Sequence, residues 1–275
     1  DATATAGARM TVDTLDVGGD AALKAGGDLQ LNDGTVGGNA TLASTGSSTL
    51  GRLSAQGTLD VTSAAALAAT TLHSGSSMTL SSGSTLDVQQ LSAGSDLVAD
   101  AVDTLSIATA NVTGNATLDG QSDVVLGTAV VGKALAVNAG NNLTANTLTV
   151  TGNSVLTSAG NTTVTTFDGE GDLSATAGGN LRLDGGTVGG NATLASTGSS
   201  TIGSLAVLGD ATATAGTTMT VDTLDVGGNA TLDGQSNVML GTAVIGKALA
   251  VNAGNDLAAN TLTVTGNSVL TSAGN

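Results

Sequence analysis

The long internal matches in this chain are all displaced by whole multiples of nineteen residues. Gly114–Asn161 returns, with few changes, at Gly228–Asn275, six periods on. Gly37–Thr49 returns unchanged at Gly189–Thr201, eight periods on, and Asp1–Gly7 returns at Asp210–Gly216, eleven periods on. No insertion or deletion disturbs the count, and 275 residues make fourteen periods with nine residues over. A fixed period of this length marks a stack of one supersecondary unit, which buries its apolar face only against copies of itself.

Set in rows of nineteen from Asp1, the chain has six mostly apolar columns: the second, fourth, tenth, twelfth, fifteenth and seventeenth. The fourth reads Ala4, Leu23, Leu42, Val61, Leu80, Ala99, Leu118, Val137, Leu156, and the seventeenth is mainly Val, as at Val17, Val36, Val112 and Val131. Within each pair of columns the spacing is two, the period of a strand with one face buried. Gly, Asn, Asp and Ser fill the gaps, as in Gly18-Gly19 and Gly37-Gly38, each followed by Asp or Asn. These residue types tolerate left-handed backbone conformations and are expected at corners. A helical reading fails on the spacing of two and on the abundance of Gly and Thr. The expectation is all-β: a right-handed parallel β-helix of about 14.5 coils, three short strands per coil, with coils ~4.8 Å apart. Residues 1–275 then form a single elongated repeat domain. With ordinary repeats at both ends, the chain reads as a fragment of a longer exoprotein without caps or a secretion domain, so bare strand edges predict end-to-end self-association.

Composition narrows the partners. Twenty-two acidic residues against six basic ones give a net charge of −16, and the chain has one Phe, one His and no Trp, Tyr, Pro or Cys. No basic patch exists to neutralise phosphates and no aromatic series to stack on bases, which argues against nucleic acid. The same charge argues against anionic membranes and heparin-like glycans. The core must be built from Leu, Val, Ala and Ile. No apolar run approaches the ~18 residues of a membrane-spanning helix.

Candidate chemistry is sparse, and each candidate has a structural explanation. His73 falls in the sixteenth column, pointing outward, with no second His or any Cys to share a metal or a proton. Gly169-Glu170-Gly171 opens like a dinucleotide-binding loop, but Ser174 stands where the third glycine belongs, so it reads as a turn. The pairs Asp13/Asp16 and Asp222/Asp225 do not extend into a calcium ladder, because Asn32 and Thr35 follow the first pair one period on. Thr recurs in the fourteenth column, as at Thr14, Thr71, Thr109, Thr128 and Thr147, but Asp33, Arg52, Gln90 and Gly185 interrupt any ice-binding ladder. Seven sequons, at Asn39, Asn111, Asn115, Asn142, Asn161, Asn191 and Asn229, could accept glycans, although four simply repeat the turn-then-strand opening N-A-T-L. The ninth coil, Asn153–Gly171, departs from its neighbours with Thr162, Phe167 and Gly169 at inward columns, and the ring is expected to fill space that Thr162 and Gly169 vacate. Catalytic, cofactor-binding and metal-binding residues are therefore predicted to be none.

The segments Val124–Asn142, "VVLGTAVVGKALAVNAGNN", and Asp20–Leu29, "DAALKAGGDL", resemble the nineteen-residue repeats of filamentous haemagglutinin and related two-partner-secretion exoproteins of Gram-negative bacteria. The resemblance covers the whole chain as a repeat consensus. It implies a β-helical adhesive shaft, exported through a dedicated outer-membrane transporter to the cell surface or medium, with a host or neighbouring-cell receptor. The family's N-P-N-L secretion motif and RGD-type tripeptides are missing from this sequence. Shafts of contact-dependent inhibition toxins and self-associating autotransporter adhesins are alternative assignments. A polysaccharide-degrading β-helix enzyme would need sugar-stacking aromatics and a loop-walled cleft, and no enzyme activity is expected.

Overall fold

The computed structural model describes residues 1–274, and every regular element among them is a β-strand. Five-residue and eight-residue strands alternate from β1 (Ala2–Ala6) and β2 (Met10–Val17) to β28 (Leu257–Val264) and β29 (Ser268–Ser272). The short, odd-numbered strands form a 15-stranded sheet and the long, even-numbered ones a 14-stranded sheet, both in sequence order. One short strand, one long strand and their turns complete each nineteen-residue coil, so the chain is a parallel β-solenoid of about fourteen turns.

The contacts divide into two compact units, Asp1–Asn138 and Ala139–Asn275. In the first, β10 (Leu86–Ala93) lies between β8 (Leu67–Ser74) and β12 (Leu105–Val112), placing Val88 opposite Ala69 and Ile107. In the second, β18 (Thr162–Gly169) lies between β16 (Leu143–Val150) and β20 (Leu181–Val188), placing Val164 opposite Ala145 and Leu183. Each partner is nineteen residues away, so within each unit every apolar column becomes a continuous ladder. Away from the first and last coils the apolar residues of the six columns are buried as the sequence predicts: Leu31, Leu53, Leu72 and Leu105 are all 0% exposed. Each such side chain contributes on the order of 1.5–3 kcal/mol by leaving water.

The structure corrects the sequence reading in three places. A coil has two strands, not three. The expected second and third strands are one eight-residue strand with a bend in it. In β10 the alternation of buried and exposed residues breaks at Gln89-Gln90, two successive outward residues, before Leu91 turns inward again. The ladder register skips Gln89 there and resumes at Gln90, opposite Thr109. A phase slip of one residue turns the third corner without a loop, so both apolar pairs keep facing the core while hydrogen bonding continues around it.

The second correction concerns the sixth column, which is also buried. Ala25, Ser44, Ser63, Ser82 and Ala101 occupy it, all 6% exposed or less. Only small side chains fit this tight corner: a Cβ on Gly120 would stand 2.9 Å from both the Asp123 carbonyl oxygen and Val124 Cγ2. Third, no described residue has a positive φ, glycine or otherwise. The corner glycines are therefore not there for left-handed backbone, and their purpose lies in the packing of one coil on the next.

Candidate functional site

The most regular polar construction on the surface is a pair of Asn/Asp ladders at two corners, in the first and ninth columns. At the first corner the side-chain oxygen of each Asn or Asp accepts the backbone N–H of the first-column residue one coil on. Asn39 N donates to Asp20 Oδ1 at 2.7 Å, Thr58 N to Asn39 Oδ1 at 2.9 Å and Asn191 N to Asp172 Oδ1 at 2.7 Å. The amide nitrogen can also serve: Asn39 Nδ2 donates to Asp20 Oδ1 at 3.3 Å and Asn115 Nδ2 to Asp96 Oδ1 at 3.1 Å. The ninth column repeats the device, with Asn161 N, Asn180 N and Ser199 N donating to Asn142, Asn161 and Asn180 respectively. Corner amides that a helix or sheet ladder would otherwise leave unpaired are thereby satisfied.

This ladder explains the glycines. The residue just before each donating N–H sits above the carboxylate or amide oxygen of the coil beneath. A Cβ on Gly38 would run into Asp20 Oδ1 and stand 2.9 Å from the Gly19 carbonyl carbon, and one on Gly179 would stand 2.6 Å from Asn161 Oδ1. Where glycine precedes the donor at the first corner, the bonds are 2.7–3.0 Å. Where Lys133 or Lys247 precedes it, the bond stretches to 3.2 Å. The ninth column behaves alike: 2.8–2.9 Å after Gly46, Gly160, Gly179 and Gly198, and 3.2 Å after Asn255. The first corner also carries the one carboxyl with a clear shift among the described residues. The backbone N–H of Asn115 holds the Asp96 carboxyl below the ordinary carboxylate range, helped by the Asn115 amide and the positive charge of Lys133.

Inside the stack, all buried hydroxyls of the described residues but that of Ser154 are satisfied locally. Ser63 Oγ lies 2.9 and 3.0 Å from the Gly46 and Ala66 carbonyl oxygens, and Ser82 Oγ 2.8 and 2.7 Å from those of Ala65 and Thr85, so each single hydroxyl proton has two acceptors within reach. Wherever the tenth column is polar, a sixth-column serine faces it: Ser44 pairs with Ser48 at 2.8 Å, Ser158 with Thr162 at 2.7 Å and Ser196 with Ser200 at 2.9 Å. In the ninth coil Phe167 is 1% exposed and does fill the space beside Gly169, where a Cβ would stand 2.5 Å from Phe167 Cε1. Thr162 does not yield its space to the ring in full. The two line a small internal void of about 10 Å³ together with Leu156, Val164, Leu181 and Leu183.

The structure disperses the remaining sequence candidates. His73 is exposed on β8, opposite Ser54 and Ser92. Gly169-Glu170-Gly171 spans the end of β18 and the following bend, and the chain resumes as β19 (Leu173–Ala177), not as a helix. Asp13 accepts a bond from Asn32 Nδ2 at 3.0 Å, while Asp222 and Asp225 stand exposed on β24 (Met219–Val226). Among the described residues no three His, Cys, Asp or Glu side chains come together to hold a metal ion. Thr128 and Thr109 lie opposite one another on the outer face, and the interrupting Arg52 lies opposite Asp33 and Thr71 in the same column. Of the sequon asparagines, Asn39, Asn115, Asn191 and Asn229 belong to the first-column ladder and Asn142 and Asn161 to the ninth. Asn111 stands on the outer face of β12. Sequence reasoning missed the ladders because it read Asn and Asp as turn formers. The signal was present nonetheless, as glycine recurring eighteen residues after Asp20, Asn39, Asp96, Asp172, Asn191 and Asp210.

No family model, curated protein or solved structure matches this chain.

Proposed function

We propose that the chain is the structural and adhesive shaft of a bacterial surface or secreted protein of the filamentous haemagglutinin type, a stiff spacer that also offers an attachment surface. The observation that carries this reading is the unbroken nineteen-residue register, in which each described coil repeats the same two strands and the same short corners. Binding and catalytic groups tend to sit on loops that a scaffold holds out, and here the corners are spent on joining coil to coil. The repeat consensus in Val124–Asn142 supports the family assignment, and with it export through an outer-membrane transporter to the cell exterior. The surplus of negative charge keeps such a surface soluble and steers its partners toward neutral or basic ones.

Small-angle scattering tests the spacer. Removing four whole coils should shorten the maximum dimension by about 19 Å, at ~4.8 Å per coil. A change of only a few ångströms would refute it. Beads coated with the protein should adhere to host or neighbouring bacterial cells above the level of uncoated beads, and adherence no greater than theirs would refute the attachment role.

A further inference from the structure

In the second unit, the ninth and tenth coils break the packing rules that their neighbours keep. Of the six apolar columns in the ninth coil, only three hold apolar side chains: Leu156, Val164 and Phe167. The other three hold Ser154, Thr162 and Gly169. The corresponding places in the thirteenth coil are all apolar: Ala230, Leu232, Val238, Leu240, Ala243 and Ile245. Ser154 is 1% exposed, and its hydroxyl is the one buried side-chain oxygen without a hydrogen-bond partner among the described residues. Such an orphan forfeits its bonds to water and gains none in exchange. The tenth coil then places Gly186 opposite Phe167, in a column that holds Leu in most other coils. The small void beside Thr162 and Phe167 marks where the two coils fail to fill one another.

We propose that β17 (Ser154–Ser158), β18, β19 and β20 form a seam at which the second unit opens first, a built-in weak joint in an otherwise uniform stack. A solenoid is stabilised by each coil's own packing and its contacts with nearest neighbours, so a local deficit is not averaged over the array. Polar inward residues alone do not make such a joint. The third and eleventh coils each have a Ser pair inside, but their hydroxyls are bonded, and their fifteenth and seventeenth columns keep Leu53, Ala55, Leu205 and Val207. The ninth coil adds to its own pair an orphan, a missing inward side chain and an ill-filled neighbour. The inference does not depend on what the protein carries or binds.

Hydrogen–deuterium exchange on the intact protein tests it. Amides in Ser154–Val188 should exchange on the order of tenfold faster than those in Ala192–Ile245, since local opening sets the rate. Ser154→Ala removes the orphan and installs the residue found in the same column at Ala192, Ala211 and Ala230. It should slow exchange in the seam several-fold and leave Ala192–Ile245 unchanged. Equal exchange across the two segments, or a seam that Ser154→Ala leaves as fast as before, would overturn the proposal.

Discussion

Replacing Gly179 with Ala probes the device that joins one coil to the next. The added Cβ would stand 2.6 Å from Asn161 Oδ1 and 3.1 Å from the Gly160 carbonyl carbon and oxygen, so the side-chain oxygen is the main obstacle. To make room, Asn161 must move away from the Asn180 N–H that it accepts at 2.8 Å. Losing that bond costs roughly 0.5–1.5 kcal/mol. No described residue has a positive φ, so Ala suits the backbone here and restricts the unfolded chain, returning roughly 0.4–1 kcal/mol. The net effect of Gly179→Ala alone is thus small, between ~0.5 kcal/mol stabilising and ~1 kcal/mol destabilising. The sharper quantity is its coupling to Asn161. In an Asn161→Ala background the collision and the bond are already gone, so Gly179→Ala should be neutral or stabilising, a coupling of about 1 kcal/mol. Urea unfolding of the four proteins measures it, provided the m-values agree. If Gly179→Ala has the same effect in both backgrounds, the glycine is there for another reason.

Three further outcomes follow from the same geometry. Leu118, 2% exposed, cannot take a charge: Leu118→Asp should cost several kcal/mol, while Thr128→Asp on the outer face of the same coil should be mild, and equal losses of melting temperature would contradict the column assignment. Asp96 is held below its unfolded pKa, so its contribution is present above about pH 4 and is lost as pH falls through the folded value. The fall of stability with acid should accordingly be shallower in Asp96→Asn, and an unchanged pH profile would refute the role given to the Asn115 N–H. Gly38→Lys should stretch the Asn39–Asp20 bond as Lys133 and Lys247 do theirs, and the Asn39 amide should exchange several-fold faster; an unchanged rate would refute the steric account.

Much of the fold was legible because the period admits no insertions. Any column, read down the chain, names the residues that pair, and Leu23, Leu42, Val61 and Leu80 do lie opposite one another. The sixth column escaped notice because Ala, Ser and Gly look alike in a tight buried corner and in a solvated turn. The third corner escaped because a bend made by one residue out of phase, as at Gln89-Gln90, leaves no loop signature. The glycines before Asp20 and Asn39 were noticed for the wrong property: what matters is the missing Cβ above an oxygen eighteen residues earlier, a relation visible only once the coils are stacked. The proposed function draws on the repeat resemblance and the unbroken register, since the ladders that organise the surface residues serve the stack itself.

The central claim is that nineteen residues are the indivisible unit. Deleting Asn191–Gly209 removes one coil and brings β20 against β24, with Leu181, Leu183 and Val188 facing Met219, Val221 and Val226. Deleting only Asn191–Ser200 removes ten residues and throws each later column out of register. Circular dichroism and thermal melting of the two proteins decide the matter. The nineteen-residue deletion should keep its β spectrum and a cooperative melt close to that of the full chain, while the ten-residue deletion loses both in the second unit. Equal tolerance of the two deletions would contradict the account.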